Sequence, residues 1–297
     1  MGRSMEYLPA KSIVTRTKNT SWFGADYNMN IYRGCSHRCI YCDSRSECYR
    51  VDDFERVYAK KDALAIIGRE LASKRKKGVV ATGAMSDPYN PQEEKYRLTR
   101  GALKLLASNW FGVGIATKSA LVVRDADVLN AIADHAPVIV KMTVTTCDDM
   151  LAEKIEPYAP LPSARLKGIE VLAKEGIFTG ALMMPVLPFI EDNARNIVRV
   201  VEAAAGSGAR FVFAGMGVTL RDRQRDWFYA RLDESFPGIS RNYKQRFGDG
   251  YQCGVRDYRK LQDAFISACQ KQGLLYKMED IILAYKSKYE QTQLKFL

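Results

Sequence analysis

The chain has 297 residues, enough for one large domain or a domain with an extension, and 47% of them are hydrophobic, ample for a core. Its formal net charge of +11 favours a polyanionic partner, and its seven cysteines, at 35, 39, 42, 48, 147, 253 and 269, form no regular disulfide framework. No apolar run reaches the roughly 18 residues of a membrane span and the N-terminus lacks a secretory apolar core, so no membrane-spanning helix is expected and a cytoplasmic protein with reduced thiols is.

Residues 1–27 are polar, with Lys, Arg and Thr concentrated in 12–20, and read as an irregular lead-in arm. An apolar, strand-like stretch at 29–32 then feeds Gly34 and the cysteines Cys35, Cys39 and Cys42, spaced C-x3-C-x2-C with Tyr41 before the third. Three thiolates from one loop can each hold one iron of an iron-sulfur cluster and leave the fourth iron without a protein ligand. The alternative is a closed zinc knuckle, which needs a fourth ligand from His37 or Cys48. Residues 61–73 show helical periodicity through Leu64, Ile67 and Leu71, and the basic run 74–77 that follows suits a helix C-terminus or a phosphate contact.

From Gly78 short apolar strands alternate with amphipathic helices, the pattern of βα units around a parallel sheet. Strands are expected at 79–84, 113–117, 138–144, 178–183 and 210–214, and helices at 98–108, 125–133, 163–174 and 193–205, with Ser163 as an N-cap and Gly176 as a stop. With the strand before Cys35 this makes six, too few for an eightfold barrel. Ligands of parallel α/β folds bind at the C-terminal ends of strands. Those ends carry Ser86, Asp87, Tyr89 and Glu93 after the second strand, Thr117, Lys118 and Ser119 after the third, and Thr143, Thr145 and Thr146 after the fourth. Each set also has a plain reading, as a Pro-punctuated loop or as β-favouring hydroxyl residues.

The cysteine spacing with its aromatic resembles the signature of the radical S-adenosylmethionine (SAM) superfamily, and the segment SDPYNPQE at 86–93 is similar to one in its spore photoproduct lyase-like branch. The resemblance spans about residues 25–220. It implies a partial (β/α)6 TIM-like barrel open on one side, at residues 28–218, and a 4Fe-4S cluster on Cys35, Cys39 and Cys42 whose open iron chelates SAM. It further implies cofactor contacts from Tyr41, Ser86 and Lys118, and Asp87 and Thr143 stand beside them. An external one-electron reductant is required. The branch places a hydrogen-donating cysteine beside the serine matched by Ser86, whereas this chain has Ala84 and Met85 there. Cys147 and Cys253 are the substitutes in principle, and both have an incidental reading.

Past Thr219 the alternation stops. Residues 219–297 read as a mainly helical extension in which Arg and Lys interleave with Tyr, Phe and Trp, a composition suited to single strands or flipped bases, or to a cap with aromatics facing the barrel. The tail ends in Gln293, Leu294, Lys295, Phe296 and Leu297, similar to the short peptides that dock on a DNA sliding clamp; packing of Leu294 and Phe296 on the cap is the other reading. The expectation is a radical SAM enzyme acting on nucleic acid, in DNA repair or modification with lyase-like chemistry. A radical SAM enzyme for a peptide or small molecule, and a non-enzymatic DNA-associated metal protein, are its rivals.

Overall fold

The computed structural model describes residues 5–293, with side chains through residue 289. The elements in order are β1 (Glu6–Leu8), β2 (Val14–Arg16), β3 (Tyr27–Met29), β4 (Tyr32–Arg33), β5 (Tyr58–Lys60), α1 (Ala63–Ser73), β6 (Val79–Thr82), α2 (Gln92–Tyr96), α3 (Leu98–Ser108), β7 (Gly112–Thr117), α4 (Ala126–Ala133) and β8 (Val138–Thr143). They continue with α5 (Asp149–Ile155), α6 (Pro162–Lys174), β9 (Thr179–Met183), α7 (Ala194–Gly206), β10 (Phe211–Ala214), β11 (Gly217–Thr219), α8 (Asp222–Ser235), α9 (Ile239–Phe247), β12 (Gln252–Gly254), α10 (Tyr258–Lys271) and α11 (Met278–Gln293).

Six parallel strands lie in chain order, β3, β6, β7, β8, β9 and β10, with β2 antiparallel on the outer side of β3. Neighbours in sequence are neighbours in space because each strand returns through a helix, as in a partial barrel. All residues of β8 and β9 are buried, as strands covered on both faces must be. On the outside, α3 turns Ala102, Leu103 and Leu106 inward, and α7 turns Ile197, Val200, Val201 and Ala204 inward, at helical spacing. Asn193 caps α7 by accepting from the Asn196 N–H at 2.9 Å.

Two segments depart from expectation. The segment 5–27 is not irregular throughout, since β1 pairs with β5 and β2 joins the main sheet. Ser163 is not a cap: α6 begins with Pro162 at its first turn after Leu161, and the Ser163 hydroxyl donates to Asp149 at 2.6 Å.

The edge of the open barrel next to β10 is covered by aromatic side chains from the N-terminal segment. The Trp22 ring meets Phe213 edge-on at 5.4 Å, and Phe23 packs with Phe211, Ile139, Ile281 and Tyr285 in a separate apolar cluster. Helix α11 holds this segment in place, with the Tyr285 hydroxyl donating to the Phe23 carbonyl at 2.6 Å. At the other end of the barrel, α8 and α9 pack Phe228, Leu232 and Tyr243 onto Ile40, Tyr41 and Leu187, forming a core between cap and cysteine loop. The aromatics of α8 and α9 are thus mostly turned toward the barrel. Among the described residues no helix is long and apolar enough to cross a membrane. The peptide at the C-terminus, Leu294 to Leu297, lies outside the described residues, and of Gln293 only its place at the end of α11 is described.

Candidate functional site: a three-thiol loop at the barrel mouth

The loop that carries the cysteines is shaped by one glycine and pinned from three sides. Gly34 sits at φ +80°, where a Cβ would stand 2.0 Å from the Arg56 carbonyl oxygen, so no other residue fits. The Cys35 N–H donates to the Phe54 carbonyl at 2.7 Å and the Ile40 N–H to the Ile155 carbonyl at 2.9 Å. From the cap, the Gln224 amide donates to the Tyr41 carbonyl at 3.0 Å, and Arg221 forms an ion pair with Asp43 at 2.9 Å.

Cys35, Cys39 and Cys42 line one cavity of about 120 Å³ together with His37, Ser86, Asp87, Lys118 and Thr143. Burial pushes the Cys35 and Cys42 thiols up to about 11 and the Cys39 thiol to about 12, with neighbouring negative groups adding to it. Buried thiols without a cation favour the protonated form, and metal coordination reverses that preference. Of the two candidate fourth ligands for a zinc knuckle, Cys48 is exposed beside Arg221, and His37 lines the cavity but faces Asp87 at 3.5 Å. Among the described residues no three His, Cys, Asp or Glu side chains gather closely enough for a single metal ion. Three thiols around one cavity with no fourth thiol fit a cluster with one open iron.

The cavity adjoins a second one of about 590 Å³; Cys42, Ser44, Gly83, Ala84, Lys118 and Thr143 are among the residues lining both. The backbone makes room at Gly83, whose φ is +97° and whose Cβ would stand 1.9 Å from the Ala116 carbonyl oxygen. Tyr41 lines the larger cavity, so Tyr41, Ser86, Asp87, Lys118 and Thr143, named from the sequence, each border one of the two cavities or both.

Their polar groups are already engaged. Ser86 donates its hydroxyl to the Gly34 carbonyl, tying the strand-end loop to the cysteine loop. Asp87 accepts from the Thr117 hydroxyl at 2.7 Å, the Lys118 N–H at 2.8 Å and the Tyr89 N–H at 2.9 Å, so its carboxylate locks the ends of β6 and β7 together. Glu93, fully buried, accepts from the Tyr32 hydroxyl and from Arg124 at 2.8 Å, anchoring the segment's far end.

Beneath Lys118 lies a carboxylate that sequence reasoning missed. Glu156 is 2% exposed; it accepts from the Tyr41 hydroxyl and pairs with Arg165 at 2.5 Å and with the Lys118 ammonium at 3.7 Å. Burial alone would raise its carboxyl, but Arg165, Lys118 and the Tyr41 hydrogen bond outweigh that and hold it below the ordinary glutamate value. Lys118 is likewise lowered by burial and raised by more than that by the thiol of Cys39 and by Glu156. Arg165 is 1% exposed and also donates to the carbonyls of Thr143, at 3.0 Å, and Pro160, at 2.6 Å. One buried pair thus positions Tyr41, Lys118 and the end of β8. Its only signal in the sequence was an arginine early in a helix.

The two substitute cysteines differ. Cys253 is buried in β12 and lines the larger cavity. Cys147 packs against the outer core, its thiol 3.6 Å from the Arg199 carbonyl, and lines neither cavity.

The Radical SAM superfamily model matches residues 29–200. An uncharacterised protein of Mycobacterium tuberculosis is 30% identical over 256 residues, covering 84% of this chain and 75% of that protein. An uncharacterised protein of Methanocaldococcus jannaschii is 30% identical over 189 residues, covering 62% and 68%. Among solved structures, spore photoproduct lyase complexed with dinucleoside spore photoproduct has the same fold, with a TM-score of 0.65 at 14% identity over 89% of this chain and 79% of that one.

Proposed function

The chain belongs to the radical SAM superfamily, whose enzymes use a 4Fe-4S cluster and SAM, and from that premise we propose that it abstracts hydrogen from a nucleic acid in a repair or modification reaction. Cys35, Cys39 and Cys42 hold the cluster, and Tyr41, Ser86, Asp87, Lys118 and Thr143 shape the place for SAM beside it. When bound, cluster and SAM supply one-electron cleavage of the sulfonium to methionine and a 5′-deoxyadenosyl radical, the electron coming from an external donor.

The protein's own part is position and exclusion of water. The Lys118 ammonium, already oriented by Glu156, offers a point charge to the SAM carboxylate. Asp87 keeps Lys118 and the Ser86 loop in register, and the α8–α9 cap closes over Tyr41. The observation that carries this reading is the adjoining pair of cavities, thiols in the smaller and room for a second molecule in the larger.

Support for the nucleic-acid substrate comes from the +11 charge and from the fold shared with spore photoproduct lyase, itself solved with a dinucleoside lesion. Cys253, the substitute cysteine that lines the larger cavity, is the hydrogen donor this reading favours. A sliding clamp is the proposed partner of the C-terminal peptide through Gln293, Leu294, Phe296 and Leu297. The test is binding of single-stranded and duplex DNA by the reconstituted holoenzyme at rising salt. A steep fall in affinity with salt is expected; no binding at low salt overturns the substrate assignment and leaves a peptide or small molecule.

A further inference from the structure

The larger cavity is also lined by residues that neither the cluster nor the SAM contacts use. Lys141 is the fourth residue of β8, and strand alternation puts it on the face of Thr143, one layer deeper in the barrel. It is 4% exposed and lines the cavity, with its ammonium 4.8 Å from the centre of the Phe23 ring. That ammonium makes no hydrogen bond or ion pair to any described residue. Burial alone, with no partner to offset it, lowers the amine to about 7. A buried cation without an acceptor is costly, and such groups belong where a ligand completes them.

Next to Phe23 in the chain stands Trp22. Its ring is 5.1 Å from that of Phe23 and 5.4 Å from that of Phe213, both edge-on, so it is fixed while 47% exposed. It lines the same cavity, whose lining also includes Leu182, Met184, Pro185, Met216 and Val218. A cavity whose lining joins apolar side chains, a fixed indole and an ammonium without an acceptor fits a flat ring better than a sugar-phosphate backbone, which has no π face to stack.

We infer that Trp22 and Lys141 form the substrate subsite, taking a heteroaromatic ring that stacks on the indole and accepts a hydrogen bond at a ring carbonyl oxygen from the Lys141 ammonium. This rests on the nucleic-acid reading above and narrows it to oxo-bearing bases. Adenine has no carbonyl oxygen and is disfavoured, which also separates the subsite from the adenine of SAM.

The test is calorimetric titration of the anaerobically reconstituted holoenzyme with the dinucleotides TpT and ApA and with an abasic dinucleotide. TpT is expected to bind about tenfold tighter than ApA, with the abasic probe weaker still. Lys141→Met removes the TpT preference, Lys141→Arg restores part of it, and Trp22→Ala weakens TpT and ApA alike. Lys141→Met also raises the melting temperature, because an apolar side chain of similar length replaces an unpaired buried amine; a merely structural lysine would lower it. Equal affinity for TpT and ApA in the wild type, or TpT affinity unchanged in Lys141→Met, overturns the subsite. If Lys141→Met keeps salt-sensitive binding of long single-stranded DNA together with wild-type TpT affinity, the subsite fails and the nucleic-acid reading stands. Wild-type protein that binds no DNA at all overturns that reading and the subsite with it.

Discussion

Two regions of the site treat their charges in opposite ways. Beside the cysteines, Glu156 is shared by Tyr41, Lys118 and Arg165, and Asp87 by Thr117, Lys118 and Tyr89, so the buried polar groups there are largely satisfied within the protein. Among the residues lining the larger cavity, Lys141 has the Phe23 ring near its ammonium and no acceptor, and Trp22 is half exposed. A wall that satisfies itself is preorganised and keeps its geometry with or without a ligand. A wall with an unmet donor gains most when something arrives. The difference separates machinery that serves every turnover, the cluster and SAM, from the surface that chooses what is attacked.

The largest effect should come at the satisfied wall. Replacing Cys35, Cys39 or Cys42 with Ala is expected to abolish the cluster, taking about four irons to a sub-stoichiometric residue and 5′-deoxyadenosine formation to background. Iron analysis and product chromatography check this. Next, Glu156→Gln leaves Arg165 buried without its counter-charge and should cost about 3–5 kcal/mol in denaturant unfolding, whereas the double variant Glu156→Leu with Arg165→Met should recover most of it. Recovery in the double variant is the sign that the pair positions neighbours rather than supplying net stability.

Lys118→Met tests the same wall more gently. SAM affinity should fall about tenfold with the cluster retained, which equilibrium dialysis and iron content measure together. A loss of iron instead would move Lys118 from the SAM side to loop integrity.

The unsatisfied wall predicts a smaller effect of opposite sign. The Lys141 amine is held at about 7 in the folded chain against 10.5 unfolded, so the unfolded chain binds more protons between those values and folding becomes more favourable as pH rises through them. Lys141→Met should therefore exceed wild type by roughly 1–3 kcal/mol at pH 7, with the gap closing toward pH 10.5. Glu156 runs the other way. Its folded value lies below the ordinary 4.5, so its contribution is present above that pH and is lost on acidification through the folded value. Unfolding curves across both ranges, wild type against each variant, read the two walls separately.

The backbone frame was open to sequence reading because each inner strand is a short apolar run between amphipathic helices, and β6, β7, β8, β9 and β10 fall within a residue or two of expectation. The thiol loop was equally open, since its ligands are adjacent in the chain. Glu156 and Arg165 were not, because their meaning arises only when β8, α6 and the cysteine loop converge. Trp22 was hidden in a segment with no periodicity, and its role depends on contact with Phe213, nearly two hundred residues away. Lys141 did leave a trace: an ionisable residue inside the apolar run V-I-V-K-M-T contradicts the strand's own pattern, and such breaks mark functional positions.

The most direct measurement follows the hydrogen atom. The reconstituted holoenzyme is given SAM, dithionite and a UV-irradiated oligonucleotide made from deuterated nucleotides, and the 5′-deoxyadenosine formed is weighed by mass spectrometry. Abstraction from nucleic acid predicts deuterium in that product. Product formed at the same rate with no deuterium would contradict it and return the substrate to another class of molecule.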